Sequence, residues 1–317
     1  NLGGSSNFIL RHIRFRIGQT DVNGNILAEN SLGAENCENF IIDHCTFGWS
    51  VEENINTFDD HFHTVQWCIV HEGLYNAGHP KGVRGYGCQW GGSSATYHHN
   101  LLANNQSRSP RFNGSRGGTI GQDLSVYLEY INNVNYNWGS SGACYGGENT
   151  SENRKFFGHE GNFINNYYKP GPATLNGGKK TALNLQHDDY PGTQKYYTNG
   201  NIVEGWYEDL SNPQNGCVDG SWPNGDKKYD PFVTEPFFES FATVHTAKDA
   251  YKAVLSDVGC TLPMFDDHDV RIVKETLDGT ATYKGSKTGE PGLIDHQDDA
   301  GGWEDYPEEI VDLSEFD

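Results

Sequence analysis

Along the first two hundred residues the apolar positions fall in short, strand-length runs bounded by Asn, Gly or His, and no helical period separates them. Residues 9–15, 41–47, 64–70 and 96–102 align as copies of one pattern, with weaker copies near 132–134, 162–164 and 201–203. A β-sandwich would give hairpin turn signals every 8 to 12 residues or so, and a βαβ fold would place helices between the strands. A repeat of variable length around a constant core instead predicts a parallel β-solenoid, in which coils stack and extra residues bulge out as loops. One column of the repeat runs through Ile13, Cys45, Cys68, Asn100, Asn132, Asn162 and Asn201. An Asn at a tight corner tolerates left-handed backbone, and its amide can bond the coils on either side. The column therefore reads as a ladder more than as a series of surface turns. Cys45 and Cys68 share it on adjacent coils and read as small buried fillers, not as a disulfide. After about residue 205 the repeat stops and helical spacing appears at 247–258 and 267–277. The expected organisation is an all-β solenoid over 1–205, followed by a C-terminal extension over 206–317 that contains short helices and packs on the solenoid.

Composition agrees with an ordered, loop-rich solenoid. The 317 residues are only 35 % hydrophobic but 13 % aromatic, with 39 glycines. No apolar run approaches the roughly 20 residues of a membrane span, so no membrane partner is expected. A formal net charge of -21 argues against nucleic acid as a partner. The seven cysteines include no Cys-x-x-Cys pair, which speaks against a zinc site. Sequons stand at Asn105, Asn113 and Asn149. The acid is unevenly spread: no Asp or Glu occurs between Gly73 and Gln122, whereas Lys81, Arg84, Arg108, Arg111 and Arg116 do. Such a cationic island suits an anionic ligand, because local positive charge attracts anions whatever the net charge far away. His71, His79, His98 and His99 lie in or beside this island, but without a cysteine partner or acids at metal spacing they read as structural.

Residues 40–47 and 64–67, Lys81-Gly82, residues 97–100 and Arg108-Ser109-Pro110-Arg111-Phe112 resemble the pectate lyases of polysaccharide lyase family 1, in the expected order. Residues 267–273 and 292–303 resemble the end of microbial members. The resemblance implies a right-handed parallel β-helix and Ca²⁺-dependent β-elimination on polygalacturonate or pectin, by a secreted enzyme. It also implies that the first coils of the family are absent here, so that a preceding segment or a second subunit would cover the open first coil.

β-Elimination on a uronic acid needs a base at C5, neutralisation of the adjacent carboxylate, and expulsion of the C4 oxygen. The resemblance assigns the base to Arg108, which opens Arg-x-Pro; crowding by Arg111, Lys81 and Ca²⁺ is expected to lower its pKa. Lys81 matches the family's lysine and is expected to hold a carboxylate or the departing-side oxygen. Arg111 fits a bidentate clamp on a neighbouring carboxylate, whereas Asn113 stands where many relatives carry a further Arg. Arg84 and Arg116 read either as extra subsite residues or as solvated loop arginines. Calcium takes hard oxygen ligands. The expected set is Glu53 or Glu52, of which one would face solvent by strand alternation, together with Asn30 where the family carries Asp. Asp43 reads as part of the structural His-Asp pattern. Tyr86 and Trp90 are the candidate sugar-stacking aromatics. Two other readings stand beside the lyase: a catalytically silent β-helix that serves as a polysaccharide-binding or structural glycoprotein, and a pectin lyase, which the cationic island disfavours.

Overall fold

The computed structural model describes residues 1–112, 126–140, 142–146, 159–180, 182–185, 194–211, 218–219, 231–240 and 242–303. Three parallel seven-stranded sheets run the length of the solenoid, and each coil contributes one strand to each sheet. The second coil is typical. Glu38–Asp43 lies in the first sheet, Thr46–Gly48 in the second and Glu53–Phe58 in the third, each paired in parallel with its counterparts above and below. This is the solenoid that the repeat predicts. Its third sheet extends past residue 205, because Val218–Asp219 pairs with Leu183–Leu185.

Only two residues separate a first-sheet strand from the next second-sheet strand, and they divide the work of the corner. The first adopts the left-handed region: His12, His44, Trp67, His99, Asn132, Asn165 and Gly200 all have φ between 49° and 71°. The second bonds to the neighbouring coil. The Cys68 N–H donates to Asn100 Oδ1 (2.9 Å), the Asn100 N–H to Asn133 Oδ1 (3.0 Å), the Asn133 N–H to Asn166 Oδ1 (2.9 Å) and the Asn166 N–H to Asn201 Oδ1 (3.1 Å). The ladder is real, but two of its expected members are not in it. Asn132 occupies the left-handed column one residue earlier, and Asn162 lies within the strand His159–Ile164. Cys45 and Cys68 continue the ladder as unpaired thiols, the Cys45 N–H meeting Cys68 Sγ at 3.4 Å. All six cysteines among the described residues are buried and outside any disulfide; Cys217 lies outside those residues.

Inside the coils, like side chains stack on like: Phe8 on Phe40 at 4.9 Å and Phe15 on Phe47 at 5.1 Å. Outside, the helices Ala247–Asp257 and Asp267–Asp278 cover the second sheet. Ala247, Val254, Val258 and Ile272 pack against Ile69, Leu101, Val134 and Tyr136. Both helices start on side-chain caps, Thr246 accepting from the Asp249 N–H and Asp266 from the Asp269 N–H. No helix among the described residues is long and apolar enough to cross a membrane.

Asp60 sits fully buried at the turn between two strands, with one carboxylate oxygen on the Cys37 N–H and the other without a partner. Burial, aided by the charges of Asp59 and Glu35, pushes its pKa up to about 7. The fold thus keeps a proton that the unfolded chain gives up near pH 4. Stability should fall by up to about 4 kcal/mol as pH rises through that window. Asp60→Asn should flatten this slope in denaturant titrations at several pH values; an unchanged slope would exclude Asp60 as its source.

Candidate active site

The third sheet and the loops that lead into it carry the candidate residues. Glu53 opens the strand Glu53–Phe58 and pairs in register with Tyr86, the first residue of Tyr86–Trp90. On the next coil Arg111 begins the strand Arg111–Phe112 and pairs with Tyr145 of Cys144–Gly146. Arg108 lies just before this strand, with φ 57°. Its carbonyl is held by the Cys88 N–H at 2.6 Å. A side chain in left-handed backbone costs about 1–3 kcal/mol and persists where surrounding structure over-determines it. Here the close passage of Gly87 does so: a Cβ on Gly87 would lie 2.7 Å from the Arg108 carbonyl oxygen. Gly87→Ala should therefore displace Arg108 and lower any Arg108-dependent turnover by about 10²-fold. Near-normal kinetics for this variant would show that the backbone at Arg108 can give way.

Arg108 is enclosed on three sides. Its guanidinium pairs with Glu53, its Nε–H donates to Tyr145 Oη at 3.2 Å, and its plane lies 4.0 Å from the Tyr86 ring centroid. Burial pulls its pKa down, but Glu53, Tyr145 and Tyr86 outweigh burial and hold it above the ordinary value. The charge nearest to Arg108 here is an anion, Glu53, and not a second cation. Arg111 lies 5.6 Å from the Tyr145 ring. Arg84 is not a solvated loop arginine: its Nε is 3.0 Å from Glu52 Oε2 and its guanidinium lies 5.1 Å from the Tyr86 ring. Lys81 is exposed on the turn that follows His79, and no contact joins it to Arg108.

Glu52 and Glu53 do not divide between cavity and solvent. The strand starts at Glu53, so alternation does not govern Glu52, and both line one cavity of about 190 Å³ with Asn30, Glu35 and Asn56. Glu52 pairs with His79 at 2.8 Å as well as with Arg84, while Asn30 Oδ1 accepts the Glu53 N–H at 3.1 Å. Asn56 is only 5 % exposed and its Oδ1 has no hydrogen-bond partner. These hard oxygen donors, one of them an unpartnered acceptor, fit a divalent cation such as Ca²⁺ in kind. They are mixed amides and carboxylates, however, and no three His, Cys, Asp or Glu side chains among the described residues form a metal-holding group.

Trp90 is withdrawn as a sugar platform. It is 0 % exposed and stacks on Tyr97 at 4.6 Å inside the coil, because strand alternation turns it inward beside Cys88. Asn105 is no accessible glycan acceptor either; it is buried, and its Nδ2–H donates to the Val70 carbonyl. Asn113, Arg116 and Asn149 lie outside the described residues. His98 and His99 form a hydrogen-bonded chain with His245, and none of the three bonds to a carboxylate. Tyr145, Asn56 and Glu35 escape a reading of the sequence because coil stacking alone brings them to the site. Asn56, Gln89, Arg111 and Tyr145 nevertheless form one register row across four coils, which a correct strand alignment would reveal.

The probable pectate lyase C of Aspergillus fumigatus is 28 % identical over 167 residues, 52 % of this chain and 33 % of that protein. That of Emericella nidulans is 26 % identical over 303 residues, 93 % of this chain and 58 % of that protein. The chain is thus similar in sequence to proteins named as probable pectate lyases, over half of its length in one case and nearly all of it in the other. It spans between a third and three-fifths of the length of these two relatives. No family profile matches it. Among solved structures, a pectate lyase bound to hexasaccharide aligns at 14 % identity with a TM-score of 0.48, covering 81 % of this chain and 62 % of that one. A mutant Bacillus subtilis pectate lyase aligns over the same shares at 14 % identity with a TM-score of 0.49.

Proposed function

We propose that this chain is a secreted pectate lyase that cleaves α-1,4-linked polygalacturonate by Ca²⁺-dependent β-elimination, with Arg108 as the base. The observation that carries this reading is the placement of Arg108 between Tyr86 and Tyr145, beside an oxygen-lined cavity. A solvated arginine that merely bound carboxylate would need none of that positioning. In the proposed step unprotonated Arg108 takes the proton from C5. The C5–H electron pair becomes the C4–C5 double bond, the C4–O bond breaks, and the departing oxygen gains a proton. Tyr145 fixes the Nε side of Arg108, while Arg111 and Lys81 engage uronate carboxylates or the departing side. Glu53, Glu52, Asn30 and Asn56 would hold the calcium, which when bound neutralises the carboxylate next to C5. Polygalacturonate is a polymer of plant cell walls, so the work belongs outside the producing cell.

The Glu53–Arg108 pair supports a second reading, because a guanidinium held protonated suits a silent β-helix that binds acidic polysaccharide. Ultraviolet absorbance of the unsaturated uronide separates the two. Incubation with polygalacturonate should give rising absorbance with calcium and none after EDTA. A flat trace from folded protein with calcium present would favour the silent scaffold.

A further inference from the structure

Glu53 has two claimants. Its carboxylate pairs with Arg108, yet the same side chain lines the cavity formed with Asn30, Glu35, Glu52 and Asn56. Its position is fixed from both neighbours: its N–H is bound by Asn30 Oδ1, and Asn56 Nδ2 lies 3.5 Å from its Oε2. The cavity also contains an acceptor that nothing satisfies, the Asn56 Oδ1, in a side chain only 5 % exposed. An acceptor buried without a donor suits a cation as its missing partner.

We infer that Glu53 is a shared ligand, for which Arg108 and a divalent cation in the cavity compete, so that loading the cavity releases Arg108 into the cleft. The inference rests on the calcium reading above and adds what the cation does to this chain's own residues. Arg108, once released, still has Tyr145 Oη on its Nε and the Tyr86 ring against its plane. It is therefore freed of its anion without being lost from the site. Competition for one carboxylate is reciprocal: whatever factor the cation applies to the Arg108–Glu53 pair, removal of Arg108 must apply to cation affinity.

Calorimetric titration with CaCl₂ alone, without polysaccharide, tests this in wild type, Arg108→Met, Glu53→Gln and the double variant. Arg108→Met should bind Ca²⁺ about tenfold more tightly than wild type, and the same change in the Glu53→Gln background should alter affinity by less than about twofold. Lys81→Met, which removes an exposed positive charge that makes no ion pair with Glu53, should also change affinity by less than about twofold. A gain that persists in the Glu53→Gln background would reduce the effect to general electrostatics and overturn the inference. So would Arg108→Met binding no more tightly than wild type, or no calcium binding by any of the four proteins. The absorbance assay judges lyase activity separately, so a failed competition and a failed lyase reading give different results. Should Arg108→Met not fold, the unsubstituted protein supplies the second measurement. Modification of Arg108 by phenylglyoxal, mapped by mass spectrometry, should accelerate several-fold with Ca²⁺. An unchanged rate would overturn the inference.

Discussion

Arg108→Ala is expected to lower lyase turnover by roughly 10²–10⁴-fold, the usual contribution of a positioned general base. The same substitution removes the partner of Glu53, which is 2 % exposed. An uncompensated buried carboxylate costs about 3 kcal/mol, so the variant should be less stable as well as inactive. The two effects can be separated. Arg108→Ala combined with Glu53→Gln should recover most of the stability in denaturant titrations, while turnover stays absent, Glu53 being itself a proposed calcium ligand. Recovery of turnover along with stability would mean that Arg108 served the fold and not the chemistry, and near-normal turnover in the single variant would remove it as the base.

The largest effect on stability is expected far from that cleft, at Arg271→Ala. Arg271 lies on the helix Asp267–Asp278 and reaches into the solenoid, where its two terminal nitrogens meet the two oxygens of Glu72 at 2.8 and 3.0 Å. Glu72 is wholly buried and also accepts the Trp49 indole N–H at 3.2 Å. Burial pushes its pKa up, but Arg271 and His71 outweigh burial and hold the carboxyl well below its usual range. Its stabilisation is therefore present above about pH 4.5 and lost as pH falls below that value. Removing Arg271 leaves this carboxylate buried without its guanidinium counter-charge, at a cost of about 3–5 kcal/mol. A second ionic cluster on the same helix, Arg16 with Asp266 and with Asp269 at 2.8 Å, remains. The variant should thus loosen the helix from the second sheet before the coils themselves unfold. Hydrogen exchange should show lost protection over 247–278 with the coil strands still protected; a denaturation midpoint equal to wild type would show that the pair contributes nothing net.

Much of the fold was legible because it is built from local rules repeated. Each coil needs an apolar strand, a residue that accepts left-handed backbone and a small or amide side chain that faces the next coil, and all three lie within a few residues of one another. The register of the corner was less legible, since both corner residues are Asn in several coils. Whether Asn132 or Asn133 carries the ladder depends on which one bends the chain. At the site, Arg108 and Arg111 stood out through a short motif and a local lack of acid. Their partners did not, because Glu53 is 55 residues from Arg108 and Tyr145 is 37 residues away on another coil.

The sequence by itself therefore determined the solenoid, its C-terminal helices and the cationic stretch around Arg108, all of which follow from periodicity and local charge. Only the tertiary structure decided that Trp90 turns inward, that Glu52 and Glu53 share one cavity, and that Glu53 rests on Arg108. Those outcomes depend on which coils stack in which register. Stacking brings together residues tens of positions apart, through packing and ion pairing that no local pattern encodes.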